Sequence, residues 1–84
     1  METDRSNRRD VRNPLSALPE AQAFLDLPPE AQAALREALV AFSAACRTKA
    51  DTAWRKHKPP MAAYWKAWAV NARHAAVLLP RRKR

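Results

Sequence analysis

Residues 54–65 read WRKHKPPMAAYW, and the two prolines inside this stretch decide the fold. Proline lacks the backbone N–H that an interior helical position donates, so it ends one helix, while it suits the first turn of the next. No other proline occurs between residues 29 and 80. The segment 58–60, Lys-Pro-Pro, therefore predicts a turn between two long helices, over 29–57 and 60–79. These helices must lie antiparallel for their apolar sides to meet.

The composition favours an all-α chain. Nineteen of the 84 residues are alanine, the best helix former, and there is neither isoleucine nor glycine. Strands are enriched in β-branched residues, of which only four valines and three threonines are present. The missing glycine also excludes glycine-rich phosphate loops and the tightest hairpin turns. We expect helices around a thin core.

Each long helix carries an apolar stripe at steps of three and four residues. The stripe of the first long helix consists of Leu35, Leu39, Phe42, Cys46, Ala50, Ala53 and His57. The stripe of the second consists of Met61, Trp65, Trp68, Ala72, Ala75 and Leu79. The two stripes are predicted to meet, with both tryptophans in the core. Counting away from residue 59 in both directions pairs Cys46 with Ala72 and Phe42 with Ala76.

The outer parts of the chain frame this hairpin. The sequence Leu-Pro-Glu at 18–20 and its echo Leu-Pro-Pro-Glu at 27–30 are both helix-start signals, and the first predicts a short helix over 19–26. Its Leu18 and Leu25 can cover the far end of the hairpin. Residues 1–14 are polar and predict a disordered arm, 15–80 form a single helical domain, and 81–84, RRKR, are a basic tail.

Charge is unevenly distributed along the chain, whose formal net charge is +8. Residues 1–37 hold five Lys or Arg against seven Asp or Glu, which is net −2. Residues 38–84 hold eleven against Asp51 alone, which is net +10. The positive charges of residues 38–84 repel one another unless an anionic partner neutralises them. The expected partner is nucleic acid or the acidic surface of another protein.

The turn between the long helices combines cations with aromatic rings, the mixture that binds single-stranded nucleic acid. Cations follow the phosphates, and exposed rings stack on bases. The candidate nucleic-acid-binding residues at the turn are Trp54, Arg55, Lys56, Lys58, Tyr64 and Lys66. Those of the tail are Arg81, Arg82, Lys83 and Arg84.

Catalysis finds little support. Pairing residues of the two helices at equal distances from the turn brings Cys46 near Asn71 and His74, a combination of side chains that enzymes with a cysteine nucleophile use. Cys46, however, lies on the apolar stripe, and the chain has no glycine loop for an oxyanion hole. The lone cysteine and two histidines match no zinc spacing. We therefore expect a protein that is not an enzyme and has no metal or cofactor.

The same sequence predicts a soluble, cytoplasmic location. A single cysteine forms no internal disulfide, and the first twelve residues lack the apolar segment of a signal peptide. The longest apolar stretch, 61–79, is interrupted by Lys66 and Arg73, so a membrane partner is not expected.

Three functions are open at this point. The leading prediction is a small non-enzymatic helical protein that binds nucleic acid mainly through phosphate contacts, for example a regulator from a mobile element. The alternative is a helical adaptor or inhibitor that docks on a host protein complex. A third is an autonomous structural oligomer. Because so few large hydrophobic residues are available for a core, we expect self-association, with a dimer as the simplest form.

Overall fold

The structure, a computed structural model, describes residues 13–80, and every regular element in that range is helical. Two short 3₁₀ helices, Pro14–Ala17 and Pro19–Ala21, lead into the single turn α1, Gln22–Leu25. Two long helices follow, α2 over Pro29–Arg55 and α3 over Pro59–Val77. They pack against each other as an antiparallel hairpin, which confirms the predicted fold class. Residues 1–12 of the predicted arm 1–14 and the tail at 81–84 lie outside the described residues. The last two arm residues are ordered, since Asn13 is buried and Pro14 begins a helix, so that part of the prediction was wrong.

Prolines begin both long helices, as the sequence indicates. Pro29 and Pro59 are the first residues of α2 and α3, where no N–H is needed. The preceding carbonyls accept the first helical hydrogen bonds, that of Lys58 from the Ala62 N–H at 2.9 Å. In α2, Glu30 in the first turn also complements the positive end of the helix dipole.

The chain reverses between α2 and α3 within three residues and without a glycine. His57 adopts a left-handed conformation, with φ of 59°. The N–H of Lys58 donates to the Ala53 carbonyl at 2.9 Å, and the N–H of His57 donates to the Trp54 carbonyl at 3.0 Å. This pair of bonds is the Schellman motif, in which the left-handed residue is usually glycine. Histidine thus occupies a position that favours glycine, and α2 ends two residues earlier than predicted.

Small side chains form the seam between the long helices, where the predicted stripes combine large and small ones. The buried residues of α2 are Ala33, Ser43, Cys46, Ala50 and Ala53. Those of α3 are Ala62, Ala69, Ala72 and Ala76. Four of these, Cys46, Ala50, Ala53 and Ala72, belong to the predicted stripes, and their burial confirms that part of the prediction.

The prediction that Phe42, Met61 and Trp68 face the seam was wrong. Each remains 44–48% exposed, and each immediately precedes a small buried residue. One residue corresponds to about 100° around a helix, so the seam is rotated toward Ser43, Ala62 and Ala69. The side chains at the contact set the distance between two packed helices, so α2 and α3 can approach more closely when small residues, rather than large ones, lie between them. Trp65 is partly buried beside this seam.

The register of the hairpin also differs from the count made on the sequence. The Ser43 hydroxyl donates a buried 2.7 Å hydrogen bond to the Ala69 carbonyl, and the rings of Phe42 and Trp68 meet edge to face at 6.3 Å. Phe42 therefore does not pair with Ala76, nor Cys46 with Ala72. The compact reversal at His57 brings α3 back sooner than a turn centred on residue 59, which shifts every pairing toward the turn.

Two side chains, one before the helices and one in α2, form hydrogen bonds at the open end of the hairpin. The Asn13 side-chain amide donates to the His74 carbonyl at 2.8 Å, and the Arg36 Nε donates to the Leu79 carbonyl at 3.0 Å. The His74 carbonyl belongs to the last turn of α3, where carbonyls lack helical partners, and the Leu79 carbonyl lies just beyond the helix; each receives its hydrogen bond from one of these side chains. Leu79 is only 2% exposed. The chain thus buries its larger side chains at this end rather than along the seam.

The short N-terminal elements lie against this end, as predicted. Leu18 and Leu25 line a groove together with Leu78. They nevertheless stay 52% and 45% exposed, so their cover of the hairpin end is partial.

Candidate nucleic-acid interface

The hairpin has two broad faces, and one of them carries a continuous groove bordered by cations. A groove of about 500 Å³ runs between α2 and α3 at the turn end, with Arg47, Trp54 and Lys66 on its walls. A second groove of about 430 Å³ shares Arg47 and Asp51 with the first and extends to Arg73. We call this side, with Arg47, Asp51, Trp54, Lys66 and Arg73, the basic face.

Positive charge on this part of the chain is exposed and uncompensated. The cations between residues 38 and 80 are Arg47, Lys49, Arg55, Lys56, Lys58, Lys66 and Arg73. All seven side chains are exposed, and Asp51 is the one carboxylate in that range. Within the described part of the chain none of the seven forms a salt bridge, not even Arg47 with Asp51 one helical turn away. Their charge is therefore available to an external anion.

Trp54 connects the groove to the turn. Its side chain is 67% exposed, the highest value among the large hydrophobic residues that the structure describes. Besides the main groove, it lines a shallow depression of about 460 Å³ with Arg55, His57 and Pro59. An indole that is open to solvent and flanked by cations can stack on a nucleic-acid base while the cations bind phosphates.

Tyr64, by contrast, lies away from the basic face. Its ring meets that of Trp65 edge to face at 5.2 Å, and the Lys49 ammonium sits 5.6 Å from the centre of the Trp65 ring. Tyr64 and Lys66 are two positions apart, which is about 200° around a helix. The structure therefore separates Tyr64 from Trp54 and Lys66.

Arg47 and Arg73 are the groove residues that sequence reasoning missed. On the sequence, Arg47 appears only as part of a charged helix side, and Arg73 as an interruption of an apolar stretch. Their common position depends on the register of the hairpin, which the sequence count misplaced. The tail residues Arg81, Arg82, Lys83 and Arg84 lie outside the described residues, so their part in binding stays a prediction.

The side of the hairpin opposite the basic face is apolar, and we call it the aromatic face. Its members are Phe42, Met61, Tyr64, Trp65 and Trp68, with Lys49 over the Trp65 ring. The positions 61, 64, 65 and 68 fall on one side of α3, and Phe42 joins them from α2 through Trp68. None of the helices in the described range is long and apolar enough to cross a membrane.

The grouping of Cys46, Asn71 and His74 is not formed. Cys46 is 2% exposed within the seam. The contacts on either side of it, Ser43 with Ala69 and Lys49 with Trp65, place it level with residues 65–69. At about 1.5 Å of rise per residue, His74 lies several residues and about 10 Å further along α3. Among residues 13–80, no three His, Cys, Asp or Glu side chains cluster where they could hold a metal ion.

Known proteins add nothing to this picture of the site. Comparisons with protein-family models, with curated proteins and with solved structures give no match to this chain.

Proposed function

We propose that this chain is a non-enzymatic protein that binds nucleic acid through phosphate contacts on its basic face and turn. The observation that carries the proposal is the set of seven exposed cations between residues 38 and 80. They form no salt bridge within the described part of the chain, and Asp51 is the one acid in the same range. Lys49, over the Trp65 ring, and Arg55, in the last turn of α2, have a stabilising role in the fold, but the other five have no such partner within the described part of the chain. Such unpaired charges repel each other in the free protein, and that repulsion is relieved when an anion binds.

The dimensions of the basic face suit a short stretch of nucleic acid. The grooves extend along α2 from Val40 to Trp54, which is about 21 Å at 1.5 Å per residue. Phosphates along one strand of a duplex are spaced by about 3.4 Å, so this length spans about six nucleotides. Lys49 and Lys56 fall on the other side of α2, which leaves five of the seven cations for the basic face and the turn: Arg47, Arg55, Lys58, Lys66 and Arg73. Five phosphate contacts correspond to a log–log salt slope of about −4.5 on duplex DNA.

Trp54 gives the site a preference for unpaired bases. The faces of paired bases are stacked inside a duplex, whereas a single strand can place a base on the exposed indole. Such stacking contributes about 1–3 kcal/mol per base. We expect single strands to bind more tightly than a duplex of equal length, and Trp54→Ala to remove most of that difference.

A salt titration with matched variants tests the proposal. Binding of a fluorescent oligonucleotide is measured from about 50 to 300 mM salt for the wild type, for Arg47→Gln with Lys66→Gln, and for Lys49→Gln. The double variant should flatten the duplex slope by about two units, since it removes two phosphate contacts. Lys49→Gln also loses one positive charge, but on the aromatic face, and should change the slope little. Binding that is absent, that ignores salt, or that weakens equally in Lys49→Gln would overturn the proposal.

A second candidate function is docking on another protein as an adaptor or inhibitor. The exposed side chains of the aromatic face favour it, because patches of this kind mark interaction sites. Variants on the two faces separate the two functions. A protein partner that is retained in Arg47→Gln with Lys66→Gln but lost with Trp68→Ala supports docking, whereas nucleic-acid binding that is lost in the first variant and retained in the second supports the first proposal.

A further inference from the structure

We propose that the aromatic face is the interface through which two copies of this chain form a dimer. The inference does not depend on nucleic-acid binding, and it rests on the area, the isolation and the charge of that face.

The area is large for a chain of this size. Phe42, Met61, Tyr64 and Trp68 are each 44–52% exposed. A large side chain of this kind buries about 200 Å² when covered, so these four leave about 400 Å² of apolar surface open on each chain. That equals the largest patch of a typical monomer, and it is about half of what each partner contributes to a stable interface. The small residues beside them on α2 and α3 supply further area.

No other part of the chain has the side chains to cover this face. The short N-terminal elements lie at the open end of the hairpin, against Leu78. Residues 1–12 contain only Met1 and Val11 as apolar side chains, and residues 81–84 contain none. A two-helix hairpin is a single layer, and stable domains pack at least two layers around a core. None of the 84 residues supplies that second layer, and a second copy of the chain can.

Charge favours a second copy as that layer. The aromatic face carries few cations: Lys49, whose ammonium is held over the Trp65 ring, and Lys56, which falls on the same side of α2 two helical turns further on, at the turn. The groove cations Arg47, Lys66 and Arg73 lie on the opposite side. Two hairpins can therefore meet face to face as a four-helix bundle with their basic faces outward. An acidic protein would instead be drawn to the basic face, which leaves the aromatic face to a second copy of the chain.

The molar mass in solution, measured without nucleic acid, tests the proposal. Sedimentation equilibrium of the wild type should give twice the 9.5 kDa of one chain. Phe42→Lys and Trp68→Lys each place a charge in the interface and should raise the dimer dissociation constant by at least about 100-fold. Val70→Lys is the matched control, because Val70 is 36% exposed on the same helix, about 200° from Trp68. It should leave the mass doubled.

Circular dichroism of the same samples separates dissociation from unfolding. If a lysine variant loses its helical signal, Trp68→Gln and simple dilution of the wild type take its place, with dissociation followed as a shift of tryptophan emission to longer wavelength. A wild type that stays at 9.5 kDa at about 100 μM would overturn the proposal, since stable interfaces associate well below that concentration. So would a dimer that Val70→Lys disperses and Trp68→Lys does not, because the interface would then lie on the other side.

Discussion

Replacing His57 with glycine should stabilise the protein. His57 is the residue with positive φ in the described chain, at 59°, and its N–H together with that of Lys58 closes the Schellman motif at the end of α2. An L-residue pays about 1–2 kcal/mol for the left-handed conformation because its Cβ crowds the backbone. Glycine avoids that cost, but it gives back about 0.4–1 kcal/mol through the greater freedom of its unfolded chain. The balance for His57→Gly is a gain of about 0.5–1 kcal/mol.

Urea and thermal unfolding, followed by far-ultraviolet circular dichroism, measure this gain. With an m value of about 1 kcal/mol per molar urea, the midpoint should rise by about 0.5–1 M. The melting temperature should rise by about 2–8 °C. All variants are compared at one protein concentration, because association makes the apparent stability depend on concentration.

Two further substitutions at residue 57 test whether backbone strain is the cause of the expected gain in stability. His57→Ala keeps a Cβ and should bring no gain, and His57→Val should lose about 1 kcal/mol, because a β-branched residue fits the left-handed region worst. The imidazole is exposed, so removing it costs little packing. If the glycine variant is no more stable than the alanine variant, strain at this residue is not what limits the turn, and the reasoning fails.

Three more predictions concern the interior contacts. Ser43→Ala removes the 2.7 Å hydrogen bond to the Ala69 carbonyl and should cost about 1 kcal/mol in urea unfolding, and Ser43→Leu should cost more because the seam has no room for it. Asn13→Asp replaces the amide that donates to the His74 carbonyl with an acceptor, and its melting temperature should fall by at least about 4 °C, whereas Asn13→Gln should fall less. Cys46 is 2% exposed and should react with a thiol reagent only when the hairpin opens. Its labelling rate should therefore fall in His57→Gly and rise in Ser43→Ala. Equal labelling rates in the wild type and both variants would contradict this.

The parts of the fold that depend on the backbone follow from the sequence, and the parts that depend on packing do not. The prolines at 29 and 59 place the starts of α2 and α3 to within a residue because a missing N–H acts locally. The hydrophobic stripe, however, shows only which side of a helix is apolar. Whether Trp68 or Ala69 occupies the seam depends on how closely two helices approach, which is a property of the pair.

The candidate site shows the same division. The exposure of Trp54 and of the cations at the turn agrees with what a charged helix end indicates, because both depend on local sequence. The separation of Tyr64 from Lys66, and the meeting of Arg47 with Arg73, depend on the rotation and register of α3. A left-handed histidine that tightens the turn changes that register, and the residues themselves give no signal of it.

The alanines of the seam also lower the side-chain entropy that is lost when the chain folds. Alanine has no side-chain rotamers to lose, whereas a buried leucine or methionine gives up about 0.5–2 kcal/mol of rotational freedom. Ala50, Ala69 and Ala76 can therefore lock two helices together at the cost of ordering backbone alone. The same lack of rotamers leaves the seam no means of adapting to a larger side chain except by moving a whole helix. Natural variation in such a chain should therefore leave these alanines fixed.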